Sequence, residues 1–433
     1  MIKKKLWFSL PLIAFMLGAC SIDHDGKNIV GDNLLIDKGT FIPEVNASKA
    51  QIQAGLDKQG RGKKALMGLK AYKISYMTTD IDGKPVKASG LITIPALTPA
   101  FMIGYKAKTG KDFSLSMVSE QHGTIFADKN APSVKAEATH QPDPLATAFS
   151  AVGAFMTIQP DYLGYGDSED YHPFLLEDPL ANTTIDMIKA AITFANKAGL
   201  PINGQLFLSG YSEGGYATLA AAKKIQAKHP ELHLMAVAPI AGPYDLEKMA
   251  IGTLSQEKMA FPPFLGYLVE SYTSTYDNLE IKTILQEKYA KMSEGEKSLY
   301  DGSKNAKELY KILPNPANGG QNTDKLFIPE FSATLVRDSN QSFRKHLSQN
   351  SVIDWKPAMP VHLYHCGNDK IVPFAMSTLA HQSFTKKGSK TTDVVRIDTV
   401  PDSQNPTAVH SNCAPVAYEQ VIPWFDKIRK GEK

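Results

Sequence analysis

Cysteine is scarce in this sequence: three in 433 residues, at positions 20, 366 and 413. They allow at most one intramolecular bridge and exclude a fold built on a disulfide framework. Net charge is scarce too. The formal +3 comes from Lys3, Lys4 and Lys5, since 47 basic side chains less these three leave 44 against 44 acidic ones. A balanced chain offers nothing for nucleic acid or another polyanion to grip. Beyond the first twenty residues no apolar run is long enough to cross a bilayer as a helix. Metalloprotease HExxH and phosphate-loop motifs are missing, so no metal and no organic cofactor is expected. Internal repeats and low-complexity tracts are missing as well. What remains is an ordinary globular composition, 43% hydrophobic and 21% charged. The length suits one large domain with an insertion, or two domains.

The chain opens MIKKKLWFSLPLIAFMLGACS. Three lysines precede a 12-residue apolar run, Leu6 to Leu17, too short for a comfortable membrane span, so residues 1–19 read as a signal peptide. The run ends in Leu17-Gly18-Ala19-Cys20, which resembles the lipobox of bacterial lipoproteins. That resemblance implies cleavage before Cys20, acylation of Cys20, and attachment to the cell envelope through lipid chains alone. Ser21 follows the cysteine rather than aspartate, which implies the outer membrane.

Residues 20–65 are polar and irregular and read as a tether. AYKISYMTTD and KASGLITIPAL then read as strands of a hairpin, with Asp82-Gly83 in its turn. From SLSMVSEQHGT onward, apolar strands alternate with helical patterns, among them QLFLSG, LHLMAVAPIAG, MPVHLYHCG and DVVRIDTV. Such alternation predicts an α/β fold with a mostly parallel sheet covered on both faces, and the early hairpin predicts an antiparallel edge. Over 246–352 the pattern turns charged, aromatic and helical, with no buried strand. This stretch reads as a helical cap inserted between two core segments, 66–245 and 353–433.

LFLSGYSEGGYATLAAA holds the one G-x-S-x-G of the chain, Gly210-Tyr211-Ser212-Glu213-Gly214. An apolar strand ends at Gly210 and an alanine-rich helix begins just afterwards, the context a nucleophile elbow needs. The competing reading makes Ser212 a plain helix N-cap. A cap, however, has no use for glycines on both sides. A serine hydroxyl is a poor nucleophile without a base, and that base needs an orienting carboxylate. Asp369, in the loop after VHLYH, and His410, expected in a loop between VVRIDTV and the last helix, follow Ser212 in the required order. Asp354, Asp393 and Asp402 lie in less suitable places, and His362 and His365 read as structural residues of a strand. Acyl chemistry also needs donors for an oxyanion. The backbone N–H of Glu213 is one candidate; Thr124, with Gly123 giving room, is the other.

Together these residues resemble the α/β-hydrolase superfamily and, within it, the secretory lipase and esterase group. Gln121-His122-Gly123-Thr124, Pro160 to Ser168, and Gly367-Asn368-Asp369-Lys370 are similar to motifs of that group. The resemblance implies an α/β-hydrolase fold and a serine hydrolase acting on a small ester or lipid substrate through an acyl-enzyme. A peptidase or acyltransferase with the same three residues stays open, as does a surface binding protein on a retired hydrolase fold. Asp161, Tyr165, Asp167 and His172 read either as pocket lining or as a polar network that holds their own loop. The apolar Phe261, Phe264, Leu265, Tyr267 and Leu268 read either as acyl pocket or as the cap's own core. Cys366 and Cys413 each stand three residues from a candidate catalytic group. If Asp369 and His410 touch, these two thiols are close enough to form a disulfide outside the cytoplasm.

Overall fold

The computed structural model describes residues 34–58, 63–141, 143–293, 298–317, 321–403 and 405–432. The expected signal peptide and the lipidation site Cys20 lie outside them. Nine strands form one sheet: β1 (Thr40–Ala47), β2 (Leu69–Thr79), β3 (Pro85–Pro95), β4 (Leu115–Gln121), β5 (Met156–Pro160), β6 (Ile202–Tyr211), β7 (Leu234–Ile240), β8 (Val361–Cys366) and β9 (Thr392–Ile397). Their order is β1-β2-β3-β5-β4-β6-β7-β8-β9. The first four in that row pair antiparallel, and from β5 to β9 every pairing is parallel. This is the α/β-hydrolase arrangement: a mixed, mostly parallel sheet flanked by helices.

Local chemistry sets the elements. In the β2–β3 hairpin, Gly83 takes φ 78° and the Asp80 carboxylate accepts the N–H groups of Asp82 (2.9 Å) and Lys84 (2.7 Å). β4 and β5 are buried at every position, as parallel strands covered on both faces must be. Helices Glu177–Lys197 and Glu213–Lys228 cover one face. The last helix, Pro406–Arg429, covers the other, where Phe425 packs on Phe207 with ring centroids 4.8 Å apart.

Part of the stretch 20–65, expected to be a tether, is structured instead. β1 pairs with β2, and helix Lys49–Lys58 follows it, so residues 40–58 belong to the core. Between β7 and β8 the described residues form helices from Leu246 to Gln349, joined by isolated bridges such as Leu285 with Phe327. Among the described residues no helix is long and apolar enough to cross a membrane.

Candidate active site

Ser212 sits between β6 and helix Glu213–Lys228 with φ 61° and ψ −120°, a region that non-glycine residues avoid. Such a conformation costs roughly 1–3 kcal/mol and persists only where the surroundings impose it. Here they do. The Ser212 N–H donates to Ile240 O (2.8 Å), and its carbonyl accepts the N–H of Tyr216 (3.1 Å). The chain is also squeezed on both sides: a Cβ on Gly210 would lie 2.3 Å from Gly214 O, and one on Gly214 1.9 Å from Gln121 O. The Ser212 side chain makes no capping bond to the helix, which disposes of the N-cap reading.

The hydroxyl turns instead to His410, whose Nε2 is 2.9 Å from Ser212 Oγ, while Nδ1 is 2.6 Å from Asp369 Oδ2. All three residues are buried. The other carboxylate oxygen, Oδ1, accepts the N–H groups of Ile371 (2.9 Å) and Val372 (3.1 Å). Burial pushes the Asp369 carboxyl up, but the imidazoles of His365 and His410 beside it outweigh burial and hold it below the usual carboxylate range. With Asp369 ionised, His410 Nδ1 carries the proton and Nε2 is free to accept one from Ser212.

One expectation fails in detail. His410 is not in a loop but in the first turns of helix Pro406–Arg429, whose N-cap Asn405 accepts the N–H of Thr407 (3.1 Å). Proline, asparagine and serine around the histidine suggest a loop, yet proline at the first helical position removes an N–H that would have no partner. Tyr211 fixes this turn, packing at a tilt against the His410 ring and donating its hydroxyl to His410 O. His365 is a satisfied core residue, bonded to Ser377 Oγ (2.8 Å) and Val372 O (2.9 Å).

Gly123 and Thr124 follow β4 and border the elbow. A Cβ on Gly123 would stand 3.0 Å from Tyr211 O, so glycine lets this loop approach. Thr124 lines an apolar cavity together with Ser212 and Glu213. The Glu213 N–H heads its helix, where first-turn N–H groups have no intrahelical acceptor. The cavity runs under the helices after β7, lined by Met249 and Leu254, Leu265 and Leu268, Phe331 and Leu335. Phe264 lines it as well, whereas Tyr267 is buried between Tyr300 and Phe174, stacked on each at 4.7 Å. Phe261 stacks on Tyr310 at 5.4 Å.

A family model described as "Secretory lipase" matches residues 143–432, two thirds of the sequence and all three of these polar groups. The chain belongs to the secretory lipase family. Among curated relatives it is 25% identical over 260 residues to the secreted triacylglycerol lipase LIP4 of Malassezia furfur. That match covers 58% of this chain and 44% of the relative, so the chain spans under half of the relative's length. A provisionally assigned hydrolase of Legionella pneumophila superposes with a TM-score of 0.77 at 26% identity, over 93% of this chain and 100% of that one. The rice cell wall degrading esterase LipA of Xanthomonas oryzae does so with a TM-score of 0.76 at 25% identity, over 93% and 99%.

In this secretory lipase family member the loop after β5 is a polar network. Asp161 accepts hydrogen bonds from Ser89 Oγ (2.7 Å) and from Ser133 N (2.9 Å) and Oγ (2.5 Å). Asp167 bonds Ser75 Oγ (2.6 Å) and pairs with Lys73 and Lys87 (3.0 Å each). Tyr165 donates to Ile125 O (2.6 Å), and His172 meets Glu213. Of the two readings of this loop, the contacts favour the network. Nothing in the sequence pairs His172 with Glu213, which lie 41 residues apart; only the acid directly after the serine hints at such a partner. Among the described residues no cluster of three or more His, Cys, Asp or Glu is placed to hold a metal ion.

Cys366 and Cys413 are joined by a disulfide, Cα atoms 5.9 Å apart. It ties the end of β8 to the last helix, closing a span of 47 residues. On the chain-entropy account such a closure stabilises by roughly 4 kcal/mol.

Glu120, directly before the Gln121 loop, is buried and bonds Tyr418 OH (2.7 Å) and Gln159 Nε2 (2.9 Å). Burial, helped by the nearby Asp143 charge, pushes its carboxyl up to about 7. A raised carboxyl means the fold holds a proton that the unfolded chain has released. The stability that Glu120 contributes is therefore fully present below about pH 4.3 and is lost as pH rises from there through 7, by at most about 1.4 kcal/mol per unit. Thermal melts should show Tm falling between pH 5 and 8, with a shallower fall in Glu120→Gln. Glu270, on helix Pro262–Thr275 and also pushed up to about 7 by burial, keeps its own share of the slope. An unaltered slope in the variant would rule Glu120 out as the source.

Proposed function

We propose that the protein hydrolyses carboxylic esters with Ser212 as nucleophile, His410 as base and Asp369 as its orienting acid. Ser212 Oγ attacks the ester carbonyl as His410 Nε2 takes its proton, and Asp369 pairs with the imidazolium. The oxyanion lies between the backbone N–H groups of Glu213 and Thr124, at the positive end of helix Glu213–Lys228. Collapse expels the alcohol, protonated by His410, and leaves an acyl-enzyme. Water, activated by the same imidazole, then releases the acid. No step needs a metal or an organic cofactor.

The observation that carries this reading is the run of 2.9 Å and 2.6 Å contacts from Ser212 through His410 to Asp369, with Ser212 lining an apolar cavity. In this reading the core (66–245 and 353–433, with β1 added) supplies the chemistry, and the insert over 246–352 is a cap that holds the acyl chain. Acylated Cys20 would keep the enzyme at the envelope, beside lipid esters.

The test is turnover of p-nitrophenyl esters from acetate to palmitate by the purified protein. Each methylene buried in the cavity contributes up to about 0.8 kcal/mol, roughly four-fold in kcat/KM. kcat/KM should therefore climb with chain length and level off once the cavity is full. No turnover on any ester by folded protein would sink the proposal, and a profile indifferent to chain length would sink the acyl role of the cavity.

A further inference from the structure

Glu213 holds two positions at once: its backbone N–H is proposed to meet the oxyanion, and its carboxylate is buried in the same place. His172 Nε2 lies 2.5 Å from Glu213 Oε1, and the side chains of both are at most 2% exposed. The second oxygen, Oε2, meets no hydrogen-bond donor among the described residues. A full negative charge left there would oppose the charge that develops on the substrate carbonyl.

Proton accounting shows where compensation comes from. His172 Nδ1 is 3.0 Å from Leu163 O, and a carbonyl only accepts, so Nδ1 carries a hydrogen. A contact of 2.5 Å between Nε2 and a carboxylate oxygen requires a second proton between them. With both protons present the pair is neutral, wherever the second one sits. Titratable groups that feel the Glu213 charge include Tyr162 and Tyr165, from the loop after β5, and Tyr267, from helix Pro262–Thr275. Burial keeps all three protonated. Their hydrogens are committed elsewhere: Tyr162 to His122 O (3.2 Å), Tyr165 to Ile125 O (2.6 Å) and Tyr267 to Tyr165 Oη (2.8 Å). Among the described residues His172 is the imidazole in direct contact with the Glu213 carboxylate; the nearby His122 ring is turned to the carbonyls of Gly123 (2.8 Å) and Asp161 (3.2 Å) instead.

We propose that His172 is a positioning residue for the ester hydrolysis proposed above, which clamps Glu213 and cancels its charge so that the adjacent N–H can receive the oxyanion. The inference rests on that reading of Ser212. Its test compares His172→Phe, which keeps a ring against Tyr165 (centroids 4.9 Å apart in the native chain), with His172→Phe/Glu213→Gln. In the single variant Glu213 must take up a proton of its own or stand unpaired. kcat should fall little at pH 6 and by on the order of 50-fold at pH 9, the size expected of a nearby like charge at an effective dielectric of about 20. KM should move little. Adding Glu213→Gln keeps the backbone N–H, removes the charge, and should flatten this widening with pH, raising kcat at pH 9 at least ten-fold over the single variant. A loss in the single variant that is flat with pH, or that the second substitution leaves in place, would reduce His172 to packing.

A second readout needs no turnover. Besides the downfield proton of the His410–Asp369 pair, folded native protein should show a second strongly downfield imidazole proton that disappears in His172→Phe. Its absence overturns the shared-proton assignment, whereas its presence in a protein inert toward esters would indict the hydrolase reading alone.

Discussion

Ser212→Ala is expected to lower kcat for p-nitrophenyl esters by about a million-fold while leaving KM within a few-fold. The reason is chemical. Among the described residues no other hydroxyl meets His410 Nε2, and the elbow that presents Oγ is built from backbone that alanine also fits: the N–H bond to Ile240 and the close passage of Gly210 and Gly214 stay as they are. The cavity is unchanged, so substrate still binds. Removing the hydroxyl should slightly relax the fold rather than harm it, so an unchanged or higher Tm belongs to the expectation. Residual turnover within ten-fold of the native protein would move the nucleophile elsewhere and take the proposed mechanism with it.

The next largest effect is expected from Asp369→Asn, a loss of about ten thousand-fold in kcat. The two backbone N–H groups of Ile371 and Val372 demand an acceptor at the Oδ1 position, so the amide oxygen of asparagine must occupy it. The NH₂ group then faces His410 Nδ1 in place of Oδ2, and a donor there forces Nδ1 to become the acceptor. The ring proton moves to Nε2, where it points at Ser212 and blocks proton transfer. Stability changes as well. Because the Asp369 carboxyl is held below its ordinary value, it contributes stability in full above about pH 3.9, lost as pH falls through the lower folded value. The variant should lack that contribution at neutral pH. Single-turnover rates and acid melts measure the two effects separately, and a kcat within a hundred-fold of native would exclude this role for Asp369.

Much of this arrangement is legible in the sequence because it depends on short-range pattern. The parallel strands appear as apolar runs since both faces are covered, and Ser212, Asp369 and His410 each follow such a run. β1 escapes notice because TFIPEVNA is an edge strand, half polar and broken by proline, with nothing in its own composition to separate it from a tether. The helical setting of His410 is hidden for a similar reason, since Asn405, Pro406 and Pro415 imitate a loop while serving as cap, first turn and tolerated interior proline. The His172–Glu213 contact is beyond any local reading. It exists only because the loop after β5 folds back over the start of the elbow helix, and that path is decided by buried tyrosines and Asp161 rather than by the two residues themselves.

On the proposed mechanism, the last helix also decides when the protein becomes chemically competent. It carries His410, the half-cystine Cys413 and the Tyr418 that bonds Glu120, whereas the strained serine lies some two hundred residues earlier. A ribosome that has made the elbow and most of the sheet has therefore made an inert chain: Ser212 is poised with no base to take its proton. On that mechanism competence waits for the final helix, whose Phe425 packs on Phe207. The disulfide then makes that packing hard to reverse wherever the surroundings are oxidising. An enzyme directed at esters would in this way be silent toward the lipids of the cell that is still synthesising it.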